Sequence, residues 1–133
     1  MNRFPGAALA LTLALLAGNV QAQTLSRSLG APPIDVTVVD GAIRVSQASI
    51  RTGSGTATVS WQLSTEGYRF TSGSIDFGSA QAYFSCSTAN YGQTIRCTKS
   101  ADAPSGQLSY TIRLSDGQSM VELPQPSVFI QID

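Results

Sequence analysis

The chain has 133 residues, eight of them basic, eight acidic and none of them histidine. A balance this close to neutral excludes the basic stripe that nucleic acid requires, and with it an acidic tail or a basic membrane-surface helix. The missing histidine removes every Ser-His-Asp or Cys-His constellation and the commonest metal ligand.

At the N-terminus, Arg3 supplies a positive start, and positions 7–17 are Ala and Leu interrupted only by Thr12. Val20-Gln21-Ala22 then offers a small-residue exit of the Ala-x-Ala type. This order predicts a secretory signal peptide over 1–22, cleaved after Ala22, and a single mature domain over 23–133. A retained anchor is the competing reading, but the apolar run falls short of the about 20 residues that a span needs. No cysteine follows the run to carry a lipid, and no later segment is apolar for long enough to cross a bilayer. The mature chain is therefore expected to be exported, periplasmic or secreted, with no membrane span after signal removal. Losing Arg3 leaves seven basic residues against eight acidic ones.

Beyond Gln23 the pattern alternates with period two, punctuated by Gly, Asp, Asn and Pro, which predicts strands and tight turns. Asp40-Gly41 is a two-residue hairpin signal, since both positions favour positive φ. It pairs Val36 with Val45 and Val38 with Ile43, placing all four on the core side. Gly53-Ser54-Gly55 resembles a phosphate loop but lacks the trailing Gly-Lys-Ser/Thr, so it is expected to be an inter-strand turn. Val59-Ser60-Trp61-Gln62-Leu63 alternates cleanly. Ser64-Thr65-Glu66-Gly67 should turn that strand back into Tyr68-Arg69-Phe70, and Ser74 to Phe77 reads as a further strand.

Cys86 and Cys97 come next. Two cysteines in an exported chain are expected to be oxidised, since a metal site wants more ligands and a redox pair wants Cys-x-x-Cys. Direct opposition of the two sets Thr88 against Ile95 and Asn90 against Gln93, with Tyr91-Gly92 as the loop. Ala103-Pro104-Ser105-Gly106 breaks the following connection. Leu108 to Leu114 is apolar at every even position, and Asp116-Gly117 should fold it back to pair Ile112 with Val121 and Tyr110 with Leu123. Pro124 and Pro126 precede a last strand, Val128 to Ile132, which proline favours at a sheet edge or strand entry.

Eight or nine short strands with regular turns predict an all-β fold, an antiparallel β-sandwich of immunoglobulin-like architecture, with a closed barrel as the runner-up. The antibody-type disulfide spans a long stretch of sequence, whereas this one is local to a hairpin and Trp61 precedes both cysteines. Trp61-x-Leu63, Gly67-Tyr68-Arg69-Phe70, Ser74-Ile75-Asp76-Phe77 and Tyr110-x-Ile112-x-Leu114 resemble the framework of short exported bacterial β-sandwich proteins of uncharacterised function. The resemblance covers about two-thirds of the mature chain and implies a fold and an exported habit, not a catalytic motif.

Carboxylates are the remaining route to enzymatic chemistry, and Asp35, Asp40, Glu66, Asp76, Asp102, Asp116 and Glu122 are scattered singly. Asp40, Asp116 and Glu66 belong to turns; Asp76 has no turn role. No acidic loop suits calcium. No catalytic, metal or cofactor site is expected. Trp61, Phe70, Ile75, Phe77, Phe84 and Tyr110 fall on buried faces, while Tyr68 and Tyr83 are candidates for the wet face. Tyr91, at a polar hairpin tip with Asn90, is the candidate contact residue.

The expected role is that of a non-enzymatic exported protein, acting by surface recognition of a protein or glycan partner in the cell envelope or as an envelope component. Two alternatives stand beside it. One is an assembly subunit pairing through edge strands, with the strand that ends at Asp133 as donor or acceptor. The other is a secreted inhibitor that presents the 86–97 hairpin.

Overall fold

The computed structural model describes residues 32–133. The signal segment and its cleavage after Ala22 lie outside the described residues. Eleven strands occur among those described: β1 (Ile34–Val39), β2 (Ala42–Val45), β3 (Ser49–Thr52), β4 (Ala57–Leu63), β5 (Ile75–Asp76), β6 (Phe84–Ala89), β7 (Thr94–Lys99), β8 (Gly106–Ile112), β9 (Leu114–Ser115), β10 (Met120–Val121) and β11 (Val128–Ile132). A short 3₁₀ segment, Gly78–Tyr83, precedes β6, and a tight turn over Asn90–Gly92 follows it. The all-β class holds; the expected 108–114 strand is interrupted at Arg113 into β8 and β9, and β3 is a strand that the alternation did not single out.

The larger sheet has the order β2-β1-β4-β7-β6, and a four-stranded sheet has the order β3-β11-β8-β5. Both are mixed, which corrects the antiparallel expectation. β1 runs parallel to β4, with Ile34 opposite Trp61, and β3 runs parallel to β11, with Ile50 opposite Ile130. Turn chemistry defines neighbours that are adjacent in sequence. It is silent about β1 against β4 and β3 against β11, which are separated in the chain by other strands.

Alternation explains which faces turn inward. Val36, Trp61, Leu63, Ile95 and Cys97 of the first sheet share one buried cluster with Tyr110, Ile112, Val128 and Ile130 of the second. Trp61 and Tyr110 meet edge to face at 5.5 Å between ring centroids, and the indole Nε1–H donates to the Tyr110 hydroxyl at 3.3 Å. Phe77 stacks on Phe84 at 3.7 Å. Such aromatic pairs add about 0.5–1.5 kcal/mol beyond the area they bury.

The Asp40-Gly41 hairpin has the expected register, Val36 to Val45 and Val38 to Ile43, with φ of 52° and 74° at the two turn residues. The Asp116-Gly117 hairpin does not. Leu114 pairs with Val121 and Ser115 with Met120, a shift of two residues that preserves the buried face but lengthens the loop to 116–119. The side chain of Gln125 accounts for the shift: its Oε1 accepts from the Ile112 amide at 3.0 Å and its Nε2 donates to the Ile112 carbonyl at 2.9 Å. That amide occupies the backbone position which Val121 was expected to fill.

Three further segments differ from the expectation. Tyr68-Arg69-Phe70 does not return along β4; Arg69 bridges Ser115 instead. Only Ile75–Asp76 of the 74–77 segment is a strand. The C-terminal strand β11 is interior, between β3 and β8, so the edge expected at Asp133 is absent. The prolines mark its entry. Among the described residues, no helix is long and apolar enough to cross a membrane.

Candidate functional site

The hairpin β6–β7 is built from small and polar residues around one covalent link. Cys86 is bonded to Cys97, and the two lie opposite each other in the ladder, as do Thr88 and Ile95. Ala89 against Thr94 is the last ladder pair, so the loop comprises Asn90 to Gln93, two residues longer than Tyr91-Gly92 alone. The Gln93 amide closes it by donating to the Asn90 carbonyl at 3.0 Å.

Three consecutive residues of this loop have positive φ: Asn90 at 53°, Tyr91 at 55° and Gly92 at 83°. Asn and Gly enter that region readily, but a Tyr there costs roughly 1–2 kcal/mol. The body of the protein holds the conformation from beneath. The Phe70 amide donates to the Gly92 carbonyl at 2.7 Å, and the Leu63 amide to the Gln93 carbonyl at 2.8 Å. Gly92 is pressed so closely on residue 69 that an added Cβ would stand 2.8 Å from Arg69 Cβ and 2.9 Å from the Phe70 carbonyl oxygen.

The consequence is an aromatic ring on a rigid post. Tyr91 is 100% exposed, whereas Trp61 is 0% and Tyr110 5% exposed. It does not pack back over the disulfide. Asn90 beside it is exposed, with its Nδ2 reaching Thr94 Oγ1 at 3.4 Å. Tyr68 and Tyr83, the candidates for the wet face, are half-buried and pack against the core.

The remaining polar groups hold the fold together. Asp76 does have a turn role: its Oδ1 accepts the Gly78 amide at 2.8 Å, and its Oδ2 pairs with Arg113 at 3.0 Å. Arg113 also holds Glu122 at 3.0 Å, so both carboxylates converge on one guanidinium. The Asp116 carboxyl is held below the usual carboxylate range by the amides of Ser119 and Gln118. Lys99 is the residue that alternation alone misses. It is 1% exposed, and its ammonium donates to the carbonyls of Gly55 and Ser100, tying the 53–55 loop to the end of β7. Its place on the buried parity of β7, in phase with Ile95 and Cys97, is the available sequence signal. A shallow groove of about 490 Å³ between β2 and the 124–126 segment is lined by Ile43, Arg44, Pro124 and Pro126, and brings no candidate residues together.

No protein-family model matches the chain, and no curated protein matches it. Among solved structures, an endo-fucoidan hydrolase of glycoside hydrolase family 107 is similar over 71% of this chain at 16% identity, with a TM-score of 0.45. The matched region spans 14% of that enzyme's chain.

Proposed function

We propose that the mature protein is a small exported, non-enzymatic β-domain whose 86–97 hairpin recognises a protein or glycan partner in the cell envelope through Tyr91. The observation that carries this reading is the full exposure of Tyr91 on a left-handed backbone anchored by Phe70 and Leu63. Strain at an exposed position persists when the surroundings over-determine it, and such positions cluster at binding sites. A backbone held in advance lowers the ordering cost of binding to that of the side chain alone, and aromatic rings stack on sugars or fill protein pockets. The disulfide supports residence in an oxidising compartment. Two mixed sheets around one core support a sandwich-like architecture related to the immunoglobulin type.

The test is affinity capture from envelope extract with wild-type mature protein and with Tyr91→Asn. Asparagine tolerates positive φ, so the variant should unfold within about 1 kcal/mol of wild type, in either direction. Wild type should retain a partner that Tyr91→Asn loses. Identical capture by both proteins would overturn the reading, and so would robust hydrolase turnover by the purified domain.

A further inference from the structure

We infer that the outer edge of β6 is a self-association surface, and that a second copy of this chain pairs there, antiparallel, about a two-fold axis at Ser87. The inference rests on which backbone groups β6 leaves free and does not involve the Tyr91 contact.

Three observations give the direction of those groups. The Cα atoms of Cys86 and Cys97 are 4.0 Å apart, the close spacing of a pair that exchanges no backbone hydrogen bonds. The Ser100 amide donates to the Tyr83 carbonyl at 2.8 Å, which assigns the odd-numbered parity of β6 to bonding with β7. The Phe84 amide turns the other way, donating to Gln81 within the preceding 3₁₀ turn. Ser85, Ser87 and Ala89 therefore bond β7, while the amides and carbonyls of Cys86 and Thr88 point away from the sheet. Among the described residues, no hydrogen bond reaches them.

Exposed edges template further strands, and proteins blunt them with charge, proline, brevity or a covering segment. The other edges carry such devices. The outward Ile43 amide of β2 is capped by the Pro124 carbonyl at 2.7 Å. β3 bears Arg51, paired with Asp133. β5 has two residues, one of them Asp76. In contrast, β6 is six residues long, reads Phe-Ser-Cys-Ser-Thr-Ala, and holds neither charge nor proline.

A second copy is the occupant that this edge fits. With Ser87 opposite Ser87, Cys86 faces Thr88 of the second copy. Each then exchanges both of its backbone hydrogen bonds, so all the free groups of both residues are satisfied reciprocally. An uncharged strand meets its own copy without repulsion. The pairing continues the five-stranded sheet across the axis and leaves the two 90–93 loops beyond the paired segment, at opposite ends. The dimer would thus carry two recognition tips, which raises avidity for a repetitive surface.

Sedimentation velocity on the mature protein, from micromolar to near-millimolar concentration, tests this. Wild type should show a concentration-dependent dimer. Ser87→Lys and Ser87→Glu, each placing like charges across the axis, should each weaken it by at least about tenfold. An equimolar mixture of the two should recover association. Thr88→Pro, which removes an outward amide and leaves the bonds to β7 intact, should stay monomeric, with circular dichroism reporting its fold. A wild type that is monomeric at every concentration overturns the inference, as does a dimer unaffected by the charge variants. Tyr91→Asn should dimerise as wild type does, so the fate of this interface is separable from that of the tip.

Discussion

At the residue scale, Gly92 decides how the β6–β7 hairpin sits on the body of the protein. Gly92 combines a φ of 83° with backbone and side-chain atoms inside 3.0 Å of where a Cβ would stand. Alanine there meets both a left-handed penalty and a clash with Arg69 and Phe70. Gly92→Ala should destabilise by roughly 2–4 kcal/mol, read as a lower urea midpoint at unchanged slope. Gly41→Ala, with a similar φ but open space around it, should cost only the left-handed term, about 1–2 kcal/mol. Tyr91 shows the complementary case, since a strained residue with no contact of its own contributes nothing to the fold that would justify the strain. Lys99 spends its charge on two carbonyls rather than on a partner. The alternation that locates Ile95 and Cys97 was legible in the sequence. The burial of Lys99 was not, because no local rule brings the carbonyl of Gly55 to β7.

At the scale of elements, turn chemistry succeeded where the loop closes on its own neighbours and failed where a distant side chain intervened. Between the two strands that Asp40-Gly41 joins, no distant side chain intervenes, and the register expected from the turn chemistry is the one observed. Asp116-Gly117 had the same chemistry, but Gln125 claims both backbone groups of Ile112 and displaces the pairing by two. The Asp116 carboxyl accepts the amides of Ser119 and Gln118, so it favours the longer loop in its ionised form. Its folded value is depressed. That support is therefore present above the ordinary carboxylate range and is lost as pH falls through the folded value. The β6–β7 hairpin is the element that a covalent bond protects. Its cysteines are 11 residues apart, and closing so small a ring should stabilise by roughly 3 kcal/mol in the chain-entropy picture. Cys86→Ser with Cys97→Ser should lower unfolding free energy by about that amount, measured by urea denaturation beside the oxidised protein. A loss under about 1 kcal/mol would mean that the anchors from Leu63 and Phe70 hold the hairpin unaided.

At the scale of the molecule, the two sheets are joined through Trp61 and Tyr110. Burial raises the Tyr110 hydroxyl above its ordinary value, and the indole hydrogen bond partly offsets the rise. A raised folded value means that stability is fully present below the unfolded tyrosine value of 10.0 and is lost as pH climbs through the folded one. Chemical denaturation from neutral pH into the alkaline range should show that fall, and Tyr110→Phe should flatten it. The same variant strands a buried indole N–H, at a cost of about 1–3 kcal/mol near neutrality. Local patterning was enough to set the class of fold, the inward face of most strands, the disulfide and the projecting loop at Tyr91. Each depends on period-two alternation or on residues a few positions apart, where local sterics and solvent are enough. Long-range pairing set the rest: both sheets are mixed, β11 lies inside its sheet and β6 is left as an uncovered edge. Those outcomes depend on which strands meet across intervening ones, and burial in a shared core selects that pairing without leaving a signal in any one segment.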